Sequence, residues 1–542
     1  MRSILEDLYG FNRKHRNLLP IAILASIFIY YFAENFVMSG GWEVLTLRSI
    51  DDYAIQDSVH SMQKKILSGD WKHVFGFFDY AYGNAFWLFN SILLLPLYFI
   101  GDAQALIVAG RQISLIFVFS SIYIVGLIID RLRPDAGSFK YSILIALAAM
   151  PMVAIISTKL HVNAQSLFFG ILSFYLLIRP TEINKQSILF SALFGGISIG
   201  FKLTGIFIAP LLCIIVLDRL LKRGGIKNAA IGATSYLAIT MLVAATCTAP
   251  ALLLFPFFID ELKLTYKTFL LFRNMASTEV QLSMGLLIDS LRFYLDPFSL
   301  AAIFISFALL IFDGVKNRRY ISLYIFLSIV TSLLLVFLTV HKGAIFVATY
   351  FLNLAFFMPL GLLGICTIKH ASNSVKIALV YCLVIVGLFN GVEYRLNLLA
   401  PYDFFGLAKS EAVKRQMAAL AEMRRLVYPL KLPVRILQDS TSIFPATRFT
   451  DGVDVAINYG DLKEKSTLGD FDYIALNSRT YYGKKLNYVD PSATQSNEGQ
   501  MIYDFEEMTR KNLRETGKFY GRRYKLIYSG YDTLLYKLED KK

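Results

Sequence analysis

The sequence predicts a polytopic α-helical membrane protein with a C-terminal extracytoplasmic α/β domain, and three observations predict it. Many apolar runs exceed fifteen residues, which a soluble domain rarely shows. Mean hydropathy over the 542 residues is +0.52, and 56% of them are apolar. From about Tyr394 these runs stop and the chain turns polar, rich in Lys, Asp and Tyr. The chain therefore divides into a membrane part, 1–393, and a soluble part, 394–542.

The net charge of +14 does not call for nucleic acid. Much of the Lys and Arg sits in short loops between apolar runs, where it sets topology and meets anionic lipid heads. Cys213, Cys247, Cys366 and Cys382 all lie inside apolar segments and read as core or lipid-facing residues, neither a disulfide set nor a metal site. No Asn-x-Ser/Thr sequon occurs, which favours a bacterial envelope.

Arg2, Arg13, Lys14 and Arg16 precede the first span, residues 18–38, and put the N-terminus in the cytoplasm. The first run has no small-residue cleavage site and is read as a span, not a cleavable signal. The external stretch 39–105 opens with Arg48-Ser49-Ile50-Asp51-Asp52-Tyr53. Two adjacent carboxylates emerge there in a loop, before an amphipathic helix with Ile55, Val59, Met62 and Ile66 on one side and Gln56, Asp57, Gln63 and Lys64 on the other. Gly69-Asp70-Trp71 reads as its stop, and an aromatic segment from Phe75 to Trp87 follows. Residues 86–100 are apolar, but about fifteen residues give only about 22 Å of helix against a hydrocarbon core of about 30 Å. With Asn90 and Pro96 inside it, this piece reads as interfacial or re-entrant.

A full span, 106–129, carries Arg111 near its start. The basic loop Arg131, Arg133 and Lys140 is expected inside, residues 141–156 lead out, and residues 164–178 return to Arg179 and Lys185. Two short pieces, 187–200 and 203–217, meet at Phe201-Lys202. The basic loop 219–227 is inside, and 229–255 leads out. Three further spans follow around residues 316–319, 341–343 and 369–376, and the last, 377–389, leaves the C-terminal part outside. The total is about eleven spans. A rival scheme spans the membrane with 86–100 and fuses 187–217 into one helix. It places Arg131, Arg133, Lys140, Arg179 and Lys185 outside, against the positive-inside rule. In the soluble part, 407–427 has helical periodicity, while 434–437, 472–476 and 524–538 read as strands, the last turning at Ser529-Gly530-Tyr531-Asp532.

The preferred topology gathers Asp51, Asp52, Arg111, Lys159, His161, Lys202, His341 and Lys342 at external ends of spans. Each alone has an ordinary explanation: a solvated loop acid, or a cation snorkelling to lipid heads. Together they suit a phosphate held by an Arg fork and Lys point charges beside a carboxylate base. Departure of a phosphate needs cations more than an acid.

The order of these features resembles the C-class (GT-C) integral membrane glycosyltransferases, above all the branch of protein O-mannosyltransferases and lipid A aminoarabinose transferases. The residues that carry it are Asp51-Asp52-Tyr53, Ser68-Gly69-Asp70-Trp71, the run Tyr82-Gly83-Asn84-Ala85-Phe86-Trp87, Gly101 and Arg111. Lys159-Leu160-His161-Val162-Asn163 and the Gly-rich stretch from Gly195 to Lys202 and Gly205 resemble later family features; His341-Lys342-Gly343 is the weakest match. The segment departs from many members in lacking Lys-Pro-Pro and in having Asp-Asp for Asp-Glu. The resemblance implies an inverting transferase that uses a polyprenyl-phosphate sugar at the outer face of a bacterial inner membrane, with a glycan, lipid or protein acceptor. It implies Asp51 as general base, with Asp52 as the alternative base or as an orienting group for acceptor or a divalent metal. Arg111, Lys202, Lys159 and Lys342, with His161 and His341, are its donor-phosphate candidates, and Tyr53 and Tyr82 its sugar or acceptor contacts. Two other functions stay open on the residues alone: a transporter or flippase of a lipid-linked anion, and a non-catalytic scaffold.

Overall fold

The computed structural model describes residues 18–37, 50–76, 83–100, 103–134, 139–180 without 159 and 161, 182–250, 297–316 and 320–327. Further on it describes mainly 434–438, 453–456, 471–477, 511–519, 521–530 and 533–539. The end of the expected span 229–255, the loop expected after it, the later expected spans beyond residue 330 and the expected helix 407–427 lie outside or almost wholly outside these residues.

The helices are α1 (Leu18–Val37), α2 (Ile50–Leu67), α3 (Trp71–Gly76), α4 (Asn84–Leu93), α5 (Leu95–Tyr98) and α6 (Ala103–Leu132). They continue with α7 (Phe139–Ala149), α8 (Pro151–Ser157), α9 (Val162–Ile178), α10 (Lys185–Phe201), α11 (Ala209–Thr248) and α12 (Pro297–Lys316). Their sequence logic is visible at the ends. Asn184 caps α10 by accepting from Ser187 N at 2.7 Å, while the Ser187 hydroxyl accepts from Asn184 N, a reciprocal capping box. The stretch expected as one span at 141–156 breaks at Met150 because Pro151 has no N–H to continue the ladder.

The main core lies where α6, α7, α9, α10 and α11 meet, around Val125, Ile128, Leu147, Phe174, Leu212 and Tyr236. Small and hydroxyl residues bring the backbones together. Ser173 Oγ donates to Ser191 O at 2.7 Å, and Ser166 and Ser198 exchange hydroxyl-to-carbonyl bonds at 2.8 and 2.6 Å. Gly225, at φ 75°, ψ 176°, divides α11 into limbs 209–224 and 226–248, and Leu220 folds back beside Gly232. The outer surface is apolar: Ile116 and Tyr123 of α6, Leu242 of α11 and Phe304 and Val315 of α12 are all exposed. Such a surface is suited to lipid and is unusually apolar for water. α6 alone offers 28 residues, Ala105–Leu132, of mean hydropathy 2.3, enough to cross a bilayer.

The two ends of this bundle differ. At one end guanidinium groups bond the carbonyls at the end of α9 and of the loop after it. Arg131 Nε donates to Ile178 O at 3.2 Å, Arg219 Nη1 to Leu177 O at 2.7 Å and Arg223 Nη1 to Ile183 O at 2.7 Å. Cations at the C-terminus of α9 also meet the negative end of its dipole. Lys140 pairs with Asp130, and the buried Arg133 and Asp313 lie 3.4 Å apart, with Ser322 Oγ donating to Asp313 at 2.7 Å. Residues 187–217 are not the single helix of the rival scheme: α10 stops at Phe201, Lys202 is extended, and a 3₁₀ turn, Leu203–Ile208, precedes α11.

The C-terminal part holds a six-stranded mixed sheet in the order β2-β1-β3-β6-β5-β4. Its strands are β1 (Val434–Gln438), β2 (Val453–Ala456), β3 (Tyr473–Asn477), β4 (Lys518–Phe519), β5 (Arg522–Gly530) and β6 (Thr533–Leu538). β1 pairs with β2 and β3 in parallel, and β6 pairs antiparallel with β3 and β5. Leu437, Phe471, Ile474, Leu513, Phe519, Tyr524 and Tyr536 form its core. The expected strands at 434–437, 472–476 and 524–538 are present to within a residue or two; β2 and β4 were not expected.

Candidate active site

The acidic pair is not in a loop. Ile50 already belongs to α2, so the backbone of Asp51, Asp52 and Tyr53 forms the first turn of that helix. The correction matters chemically, because the N-terminal turn of a helix favours negative charge. Along α2, Val59 and Met62 are fully buried, as the apolar stripe predicts. Gln63, expected on the polar side, is buried as well: its Nε2 donates to Ser91 O at 3.2 Å, and Ser91 Oγ donates to Val59 O at 3.3 Å. The stripe of α2 therefore packs on α4 and does not simply lie on lipid. Gly69, at φ 71°, ends the helix, and Asp70 starts α3, its carboxylate accepting from His73 N at 3.4 Å. The His73 hydrogen bond holds the Asp70 carboxyl below its ordinary range, and burial pulls the Lys65 ammonium down.

The piece expected to be interfacial is too short to span. α4 has ten residues and α5 four, with a break at Leu94 and with Ile92, Leu93, Phe99 and Ile100 exposed. Buried amides fix it. Asn90 Nδ2 donates to Gln165 Oε1 at 3.0 Å and Gln165 Nε2 returns a bond to Asn90 Oδ1 at 2.8 Å. Asn84 Nδ2 donates to Val74 O at 2.7 Å and ties α4 to α3.

The elements that carry the acidic pair, Arg111 and Lys202 share one apolar cluster. It joins Val59 and Met62 of α2, Phe86 and Trp87 of α4, Leu106 of α6, Leu160, Val162 of α9 and Phe201 of α10. Phe201 makes ring contacts with Phe86 (6.3 Å), Phe89 (5.8 Å) and Phe169 (5.4 Å). Lys202 follows it directly, half-buried, as the C-cap of α10. Gly83 N–H donates to Phe201 O at 3.1 Å, so the end of the aromatic segment meets the chain one residue before Lys202.

Arg111 lies eight residues into α6, about 12 Å along the axis, and is 1% exposed. A guanidinium at that depth belongs in a cavity or a polar network, since exposure to hydrocarbon costs several kcal/mol. Its neighbour Gln112 is clamped. Gln112 Nε2 donates to Phe32 O at 2.9 Å, and Asn35 Nδ2 donates both to Gln112 Oε1 at 3.3 Å and to Ser157 O at 3.1 Å. Glu34, beside Asn35, is buried too.

Of the predicted site residues, Asp51, Asp52, Arg111 and Lys202 are carried by α2, α6 and the C-cap of α10, elements whose neighbouring residues Val59, Met62, Leu106 and Phe201 share this one apolar cluster. Tyr82, Lys159, His161, His341 and Lys342 lie outside the described residues, as do the side chains of Asp51, Asp52 and Tyr53. Among the described residues no group of three or more His, Cys, Asp or Glu converges. Sequence reasoning missed Asn35, Gln112 and Gln165. The available signal was an amide inside an apolar run, which in a membrane is a packing or functional group by default.

This architecture is the fold of the C-class membrane glycosyltransferases. No family model and no curated protein matches the sequence. Among solved structures the chain is similar to ArnT from Cupriavidus metallidurans bound to undecaprenyl phosphate, at 11% identity and a TM-score of 0.53, over 95% of this chain and 97% of ArnT. It is also similar to the archaeal oligosaccharyltransferase AglB from Archaeoglobus fulgidus, solved with an inhibitory peptide and a dolichol-phosphate. That match has 10% identity and a TM-score of 0.51, over 89% of this chain and 72% of AglB.

Proposed function

We propose that the chain is an inverting glycosyltransferase moving a sugar from a polyprenyl-phosphate donor to an acceptor at the extracytoplasmic face of a bacterial inner membrane. The observation that supports the reading is the cluster around Phe86, Trp87 and Phe201, which packs α2, the helix that begins with the acidic pair, with the elements bearing Arg111 and Lys202. It does so in a fold shared with proteins crystallised with undecaprenyl phosphate and with a dolichol-phosphate.

In this reading the Asp51 carboxylate takes the proton of an acceptor hydroxyl or amine. The freed lone pair attacks the anomeric carbon from the side opposite the phosphate. The bond from that carbon to the phosphate oxygen breaks, its electrons leave with the polyprenyl phosphate, and configuration inverts. One carboxylate suffices for this single displacement. Arg111 and Lys202, with Lys159, Lys342, His161 and His341 as further candidates, hold the phosphate and stabilise the charge that grows on it. Asp52 orients the acceptor or a divalent metal, and Tyr53 and Tyr82 contact sugar or acceptor. Residues 394–542 form an extracytoplasmic α/β domain.

The test is a panel of polyprenyl-phosphate sugars offered to the purified full chain, with products read by mass spectrometry. Asp51→Asn should abolish transfer while donor binding persists. Normal transfer by both Asp51→Asn and Asp52→Asn would remove the catalytic assignment. Donor binding by the wild type without cleavage of any donor would favour a flippase.

A further inference from the structure

The C-terminal sheet places like charges where sheet physics disfavours them. Between residues 511 and 539 seven Lys and Arg stand against three Asp and Glu. In register, Lys518 of β4 is directly opposite Arg523 of β5, and Lys525 of β5 is directly opposite Lys537 of β6. Arg523 and Lys525 are two apart on one strand, so all four project from the same face. The other face of β5 carries Tyr524 into the core. All four cations are exposed, and none forms a side-chain ion pair among the described residues.

Opposed residues on neighbouring strands hold their Cβ atoms about 5 Å apart, and like charges so placed destabilise the pair. Edge protection explains only part of the arrangement. A Lys on the outermost strand, such as Lys518 on β4, discourages pairing with another chain. Lys525 and Lys537 lie across an interior seam, because β6 sits between β3 and β5, and no edge needs guarding there.

We infer that the exposed Lys518–Arg523–Lys525–Lys537 face is a docking surface for the anionic lipid headgroups of the membrane that holds the chain's own helices. Four cations against one acid, Glu539, whose N–H donates to Arg523 O at 3.0 Å, leave the face net positive and complementary to a surface of phosphate groups, and the chain is anchored in the bilayer that offers one. The potential of such a surface falls off within a Debye length, about 8 Å at physiological salt, so the face must lie against the headgroups to gain from them. Docking fixes the height and tilt of the sheet over the membrane. The inference is independent of the transferase reading.

The experiment is hydrogen exchange on the full chain in nanodiscs of pure phosphatidylcholine and of phosphatidylcholine with phosphatidylglycerol. Exchange over residues 518–530 should slow in the anionic discs, and 0.5 M salt should abolish the slowing. Each cation at an anionic surface is worth about a fivefold factor. Lys525→Ser with Lys537→Ser should therefore weaken docking about 25-fold while exchange within α6 is unchanged. Lys525→Glu separates docking from folding, since it converts a repelling pair into an attracting one: the sheet holds, and the response to phosphatidylglycerol disappears. Equal exchange in the two kinds of disc overturns the inference. So does slowing that appears only when a soluble polyanion such as dextran sulfate is added, which would assign the face to an anionic polymer.

Discussion

Replacing Gly83 by alanine tests the join between the acidic end of the chain and the lysine cap. Gly83 has φ −72° and ψ 158°, a conformation alanine adopts freely, so the substitution carries no backbone strain. Its whole effect is steric. A Cβ there would stand 1.8 Å from Gly200 O, 2.9 Å from Thr248 Cα and 3.0 Å from Gly200 C, all backbone atoms that no rotamer change can move. Restoring even a 3.0 Å contact to Gly200 O requires α4 and α10 to separate by about 1.2 Å, the difference between 3.0 and 1.8. That movement stretches the 3.1 Å bond from Gly83 N–H to Phe201 O beyond hydrogen-bonding range. Overpacking costs about 1–3 kcal/mol and an orphaned buried group about 1–3 more, so the expected loss is about 2–6 kcal/mol. A shift of about 1 Å in a catalytic arrangement can cost about 100-fold in rate. Thermal unfolding of the detergent-purified protein and steady-state transfer should both fall clearly. Gly69→Ala is the control. It is strained by its φ of 71° but has nothing within 4 Å, so it should lose about 1–2 kcal/mol and keep its turnover. If Gly83→Ala kept both its unfolding midpoint and its turnover, the close approach of α4 to α10, and with it the placement of Lys202, would be wrong.

Three other outcomes follow from the same structure. Gln112→Leu removes the bonds to Phe32 O and from Asn35 and should cost about 1–2 kcal/mol; because its neighbour Arg111 is then less well placed, donor KM should rise more than kcat falls. Asp313→Asn removes the carboxylate charge 3.4 Å from the buried Arg133 and should cost about 3 kcal/mol in thermal stability. Turnover per folded molecule should survive, since Arg133 lies 22 residues, about 33 Å along the α6 axis, from Arg111. Burial pushes the phenols of Tyr473 and Tyr536 above their ordinary range. The stability they lend is present below pH 10 and lost as pH climbs through the raised values, so Tyr473→Phe and Tyr536→Phe should each move the alkaline unfolding midpoint of the sheet upward, as read by near-ultraviolet circular dichroism.

What the sequence revealed and what it hid separate along a physical line. Local periodicity placed α2's stripe at Val59 and Met62, the stop at Gly69, the short piece after Gly83 and the break at Lys202, because each depends on residues within a turn or two. The position of Asp51 and Asp52 was also local and was misread. Ser49 followed three residues later by Asp52 has the spacing of a capping box, and that signal puts the pair inside the helix. Gln63 was hidden for another reason: its burial depends on Ser91 O, 28 residues away. The Asn90–Gln165 exchange spans 75 residues and the Asn35–Gln112 bond 77, and no window of sequence contains either pair. β2 and β4, four and two residues long, exist only through their neighbours and carry no pattern of their own.

The long-range bonds also explain how the bundle keeps its charges apart. At one end Arg131, Arg219 and Arg223 spend their donors on carbonyls of other segments, so guanidinium groups hold α6, α9 and α11 together. At the other end the ties described here are made by amides and hydroxyls: Asn35 to Gln112, Asn90 to Gln165, Gln63 to Ser91, Ser166 to Ser198. Amides are the economical choice there. A neutral tie holds α1, α4, α6 and α9 in register without burying a further charge among apolar helices. An arginine clamp in place of Gln112 would bring a second buried cation beside Arg111, and a charge at that depth is costly. Among the described bonds, the division of labour is therefore guanidinium-to-carbonyl ties at the Arg131–Arg223 end and uncharged amide and hydroxyl ties at the end that carries Arg111 and Lys202.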